Sequence, residues 1–162
     1  MTGKISKEEA TEEVLLITKR MSKLYLHFSE AIIEKLGEKE GKELIKRAVN
    51  SYGSDCGEEV KDKAIEKGLT LEPKNYSKIP DLPKLGWESE KIDGLDNLTE
   101  GIKVTFCPLA DYWIKENKED IGRIYCNVDQ AKYKAFNPEI VCIHEKNILE
   151  GDSCCHIIAK KS

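Results

Sequence analysis

In the run Gly101-Ile102-Lys103-Val104-Thr105-Phe106-Cys107-Pro108-Leu109-Ala110 the residue pattern changes period midway. Ile102, Val104 and Phe106 alternate with Lys103 and Thr105, the two-residue repeat of a strand with one buried face. Pro108 then stands at a first helical position, where its missing N–H costs nothing. Cys107 therefore sits at a strand-to-helix junction, at or beside the N-cap. A thiol there faces the positive end of the helix dipole, which lowers its pKa. The alternative is a small apolar residue closing the junction, since free cysteine is commonly buried.

Upstream, residues 87–92 read as a second strand across the turn-rich Asp93-Gly94-Leu95-Asp96-Asn97. Before it, residues 69–85 carry Pro73, Pro80 and Pro83 without periodicity and read as a surface loop. The chain ahead of that loop is helical. Val14, Ile17, Met21, Leu24, Phe28, Ala31 and Ile32 recur at spacings of three and four, one apolar stripe on a helix over 7–36. Ser6 with Glu9 forms a capping box, and Gly37 a stop. A second helical stretch runs from 38 to 67. Gly53 and Gly57 interrupt it, each weakening a helix by about 1 kcal/mol relative to alanine. They mark either close backbone contact on one helix or a bend between two.

Downstream, short helices are expected over 108–115 and 118–133. Asn137-Pro138 breaks the pattern, and strands over 140–145 and 153–160 pair across Glu150-Gly151-Asp152, with Gly151 supplying a positive φ. Long N-terminal helices followed by a mostly antiparallel sheet with short inserted helices define an α+β class. The 162 residues fit one domain: a helical half (1–68), a connecting loop (69–85) and a sheet-containing half (86–162).

Charged residues make up 35% of the chain, yet the net charge is only −4 with both signs interspersed, so no basic stripe awaits nucleic acid. No apolar run approaches the roughly 20 residues that span a bilayer, and no signal-peptide core opens the chain, so a cytoplasmic protein without membrane association is expected. In that compartment the six cysteines are read as thiols or metal ligands rather than disulfides. Phosphate loops, dinucleotide fingerprints and the Gly-x-Ser-x-Gly elbow are all absent from the sequence.

The chemistry-bearing groups concentrate in the last third: Cys107; Cys126 with Asp129; Cys142 with His144; and Asp152, Cys154, Cys155 and His156. Cys126 and Asp129 lie three apart on an expected helix and share a face, with Tyr133 one turn on. Such a carboxylate can act as a base or bind an amidine, or it can be a solvated acid beside a packed thiol. Cys155, Ile157 and Ala159 form the core face of the last strand. His156 lies on the other face, where His144 can join it if the register permits. Zinc held by Cys107, Cys126 and Cys155 is the weaker alternative, because no Cys-x-x-Cys knuckle supports it. Cys56 and His27 read as packing residues.

Ser51-Tyr52-Gly53 with Gly57, Cys107-Pro108-Leu109-Ala110, Tyr125-Cys126-x-x-Asp129, Phe136-Asn137-Pro138 and Glu150-Gly151-Asp152-x-x-Cys155 together resemble the L-2-amino-thiazoline-4-carboxylic acid hydrolase-like family. The resemblance implies an α+β fold with a ligand-sized cavity, similar in its ending to small-molecule-binding domains of the vinyl-reductase type. It also implies hydrolytic opening of a thiazoline ring to a carbamoylated cysteine, with no cofactor. On that reading Cys107 is the nucleophile or Asp129 the base. Cys126, Tyr133, Cys155, Trp113 and Arg123 line the substrate site, and Arg123 or Lys103 meets the substrate carboxylate. Non-catalytic small-molecule binding and a thiol-based metal or redox response are the competing readings. The long first helix can also pair with a second copy to form a homodimer.

Overall fold

The computed structural model describes residues 5–161. Helix α1 spans Lys7–Leu36, with Ser6 and Glu9 closing the expected capping box through bonds of 2.8 and 3.1 Å, and Gly37 ends it. Helix α2 spans Glu38–Glu66 without interruption. A short helix, α3 (Pro73–Tyr76), precedes strands β1 (Glu88–Lys91) and β2 (Thr99–Phe106). Three more helices follow: α4 (Pro108–Lys115), α5 (Glu119–Tyr125) and α6 (Asn127–Phe136). Strand β3 (Ile140–Lys146), a 3-10 turn (Ile148–Glu150) and strand β4 (Cys155–Lys161) complete the chain. All strand pairs are antiparallel, in the order β1-β2-β4-β3. The architecture is α+β, as the change of period indicates.

Gly53 and Gly57 resolve into close contact rather than a bend. A Cβ on Gly53 would lie 2.7 Å from the Val128 carbonyl oxygen, and one on Gly57 2.3 Å from that of Lys132. Helix α6 therefore lies directly against α2, backbone to backbone. On its other side it packs on the sheet. Val60 and Ala64 of α2, Tyr133 and Phe136 of α6, and Ile140, Cys142 and Ala159 of the sheet form one buried cluster.

The structure corrects three local expectations. The middle of the α1 apolar stripe faces outward, Ile17, Met21, Leu24 and Phe28 being 55, 48, 59 and 63% exposed, while Val14 and Ile32 at its ends are half-buried. The buried side carries Thr18, Ser22, Leu26 and Ser29 instead. Its small hydroxyls are partly satisfied within the helix, Thr18 Oγ1 donating to the Val14 carbonyl and Ser22 Oγ to that of Thr18. Small side chains also let α4 approach, so that Trp113 Nε1 donates to the Ser22 carbonyl at 3.2 Å. The proline-bearing loop is not confined to the surface either, because Pro73, Tyr76 and Ile79 enter the core. Finally, the helix expected over 118–133 is two helices, with Cys126 at the joint between α5 and α6. Among the described residues no helix is long and apolar enough to cross a membrane.

Gly57→Ala should destabilise the protein by about 2 kcal/mol, since overpacking against the Lys132 backbone exceeds the ~1 kcal/mol that alanine adds to a helix. Denaturant unfolding checks this: a variant as stable as the parent would mean that α2 and α6 are not in backbone contact.

Candidate functional site

Helix α6 carries Asp129 and Lys132 three residues apart, on adjoining positions of one face. Asp129 Oδ2 lies 3.0 Å from His144 Nε2, and the imidazole is only 2% exposed. His144 reaches it from β3, where its register partner on β4 is Ile157. This puts His144 on the inward face with Cys155 and Ala159. His156, paired with Lys103 on β2, belongs to the opposite face, so the two histidines do not meet.

The far side of the imidazole is held equally closely. The register shifts between His144 and Lys146. Asn147, fully buried, then opens the 3-10 turn, its Oδ1 accepting from the Leu149 N–H at 2.9 Å. Asp152 Oδ2 accepts the Asn147 backbone N–H at 2.8 Å. Gly151, at φ 94°, permits the reversal that brings the acid back. With Oδ1 committed, Asn147 presents Nδ2 to His144 Nδ1 at 2.9 Å. An amide NH₂ can only donate, so Nδ1 accepts, the ring proton sits on Nε2, and that proton is donated to Asp129. The result is a directed chain from backbone through amide and imidazole to carboxylate.

Beside it, Lys132 Nζ donates to Asp81 Oδ2 at 2.7 Å, with the Lys132 side chain 6% exposed. The Tyr76 hydroxyl donates to the same oxygen at 3.1 Å. Burial favours the neutral amine, but Asp129 and Asp81 outweigh it and hold the lysine above its ordinary pKa. Among the described residues this ammonium makes one hydrogen bond, leaving two N–H groups in a largely dry setting without an acceptor. The Tyr52 and Tyr125 rings lie 6.4 Å apart between centroids, and Cys56 lies within electrostatic range of both Tyr52 and Lys132. Asp129, Lys132, Asp81, Tyr76, Cys56 and His144 thus form one polar cluster between α2, α6 and β3.

The thiols behave otherwise than their local sequence indicates. Cys107 is the N-cap of α4, as expected. Burial nevertheless pushes its pKa up, outweighing the backbone N–H groups of Ala110 and Leu109. Burial also drives Cys126 up to about 12, against the nearby Asn147 side chain and the charge of Arg123. Cys155 is raised by burial too, although the Ile148 N–H approaches its sulfur at 3.4 Å. Cys107 lies within electrostatic range of Cys126 and Cys155, and Asp129 within range of Cys126 and Cys155, though it is not among the main influences on Cys107. The thiols are held as protonated groups.

The remaining candidates are engaged with partners of their own. Trp113, 1% exposed, packs with Tyr25 and Tyr125 at centroid distances of 5.4 and 5.5 Å. Tyr133 turns toward the sheet, where its hydroxyl donates to Glu100 Oε2 at 3.1 Å. Arg123 Nε lies 3.2 Å from Glu150 Oε2 without an aligned hydrogen bond, on the wall of a cavity of about 270 Å³ shared with Lys42 and Lys46. Lys103 is paired with Glu90 at 2.8 Å. A larger cavity, about 360 Å³, lies between α3 and the β1–β2 turn, and its lining includes neither Cys107 nor Asp129. Among the described residues no group of three or more histidine, cysteine or acidic side chains is arranged to hold a metal ion.

Asn147, Lys132 and Asp81 are the members that sequence reasoning missed, and His144 was named but expected beside His156 rather than Asp129. Lys132 carried a signal, three residues after Asp129. Asp81 carried none, because its place depends on how the proline-bearing loop folds back.

Two long helices over a four-stranded antiparallel sheet, with a third helix between carrying the polar cluster, define the class of fold. The same fold occurs in trafficking protein particle complex subunit 3 from Naegleria fowleri, crystallised covalently bound to palmitic acid. The TM-score is 0.57 at 16% identity, over 91% of this chain and 96% of that one. No curated protein matches the chain. The family model for L-2-amino-thiazoline-4-carboxylic acid hydrolase matches residues 17–158, and the chain belongs to that family.

At pH 7, an Ellman-type reagent should leave Cys107, Cys126 and Cys155 unmodified until denaturant is added, because their raised pKa values suppress the thiolate. Modification of Cys107 within seconds in native protein, assigned by mass spectrometry, would reverse this reading.

Proposed function

We propose that this protein hydrolyses a small cyclic amidine carboxylate of the 2-amino-thiazoline-4-carboxylate type, with Asp129 as general base. The observation that carries the proposal is the Asn147–His144–Asp129 chain, which holds a carboxylate oriented beside a buried ammonium. Asp129 takes a proton from water as its oxygen bonds to the amidine carbon. The carbon–ring nitrogen bond then breaks, and both protons of the water end on that nitrogen. The carbamoyl group stays on sulfur, so substrate and water balance as a carbamoylated cysteine.

Lys132, buried and with two N–H donors left over from its bond to Asp81, receives the substrate carboxylate. Cys107, Cys126 and Cys155 serve as neutral lining, and Cys107 as nucleophile is the less favoured variant of the same reading. Six free cysteines fit a reducing compartment such as the cytoplasm.

Asp129→Asn should cut kcat by about 10²–10⁴-fold, the usual worth of a positioned base. Lys132→Met should raise KM for the carboxylate substrate while leaving turnover of carboxylate-free 2-amino-2-thiazoline little changed. Steady-state assays with both compounds, beside thermal unfolding of each variant, decide it. Full activity in a folded Asp129→Asn variant would remove the hydrolase mechanism. A non-catalytic small-molecule-binding domain is the second reading, favoured by the protonated thiols. Native mass spectrometry showing a retained ligand, with no turnover by the parent protein, would establish it.

We further propose a homodimer through α1. Ile17, Met21, Leu24 and Phe28 recur at spacings of four, three and four on its exposed side, the seam of a coiled-coil pair. Sedimentation should show a dimer that Leu24→Glu with Phe28→Glu converts to monomer. A monomeric parent protein would refute it.

A further inference from the structure

The cavity of about 360 Å³ between α3 and the β1–β2 turn is distinct from the Asp129 cluster and is used by none of the chemistry above. Lys74, Lys78 and Lys91 line it with Glu100 and Asp93. Three ammonium groups against two carboxylates leave it positive, on a chain whose net charge is −4.

The charge of Glu100 is spent internally. It is 4% exposed, its Oε1 accepts from Ser77 Oγ, and its Oε2 accepts from Tyr133. Lys91 Nζ adds an ion pair to Oε1 at 3.8 Å. Lys74 Nζ has only the Asn97 side-chain oxygen, at 3.4 Å, and among the described residues neither Lys74 nor Lys78 has a carboxylate within ion-pair distance. Two ammonium groups thus border the cavity without an ion-pair contact among the described residues, Asp93 and Asp96 standing off beyond that distance. Ile92 and Leu95 supply its apolar side and close over Gly101, where a Cβ would lie 2.6 Å from Leu95 Cδ1. The volume is at the small end of ligand sites.

We propose that this cavity binds a small organic anion, with a carboxylate or phosphate head between Lys74 and Lys78 and a short apolar body against Ile92 and Leu95. The head satisfies the two unpaired ammonium groups. The apolar contact distinguishes a built site from a patch of surface lysines, because it makes affinity depend on the tail as well as the charge.

Amide NMR of ¹⁵N-labelled full-length protein, titrated at pH 7 with sodium hexanoate, hexyl phosphate and sodium acetate, tests this. Saturable shifts at the Gly94 and Gly101 amides are expected for at least one six-carbon anion, with acetate weaker. The double variant Lys74→Gln with Lys78→Gln, the first half-buried and the second exposed, should weaken that binding by about tenfold or more. Leu95→Ser should narrow the margin between hexanoate and acetate. Asp129→Asn should bind as the parent does, which separates this site from the proposed catalytic one. Shifts that do not saturate for either six-carbon anion, or equal affinity in the lysine double variant, would overturn the proposal.

Discussion

Backbone contact between α2 and α6 is the constraint on which the rest depends. Two glycines one helical turn apart remove the side chains that would hold α6 away, and the Val128 and Lys132 carbonyls occupy that space. Helix propensity is sacrificed at both positions, by about 1 kcal/mol each. The return is a ten-residue helix held between a long helix and the inner face of a sheet. Only a helix in that position can present Asp129 to a histidine on β3 and Lys132 to an aspartate from the loop at once.

The cluster also shows how burial changes the chemistry that local sequence suggests. A cysteine at a helix N-cap gains from the N–H groups of the first turn, an effect that is modest and confined to that turn. Removing a thiolate from water costs more, and Cys107 titrates above its usual range. Asp129 keeps a quarter of its side-chain surface in contact with solvent and is steadied by a neutral imidazole rather than a cation. In the proposed reaction the base is therefore the carboxylate rather than a thiol, while Lys132 remains charged because two carboxylates surround it.

Helix α1 illustrates a different limit. Periodicity located the helix and both of its ends, because a capping box and a glycine stop are local devices. Which side it buries was not legible from the same periodicity. An apolar stripe reads as core by default, yet here small hydroxyl side chains face inward, and Trp113 needs their reduced bulk to reach the Ser22 carbonyl. The exposed stripe then carries the proposed contact with a second copy.

The amino-acid sequence by itself determined the α+β class, the strand-to-helix junction at Cys107, the inward face of β4 and the family, since each follows from patterns a few residues long or from motifs in order along the chain. Tertiary structure alone decided that His144 faces Asp129, that Asn147 sets its tautomer, and that Asp81 travels some fifty positions to reach Lys132. The physical reason is range. Hydrogen-bond direction and burial depend on register, on one irregularity in a strand and on loop closure, and none of these leaves a local pattern in the residues it joins.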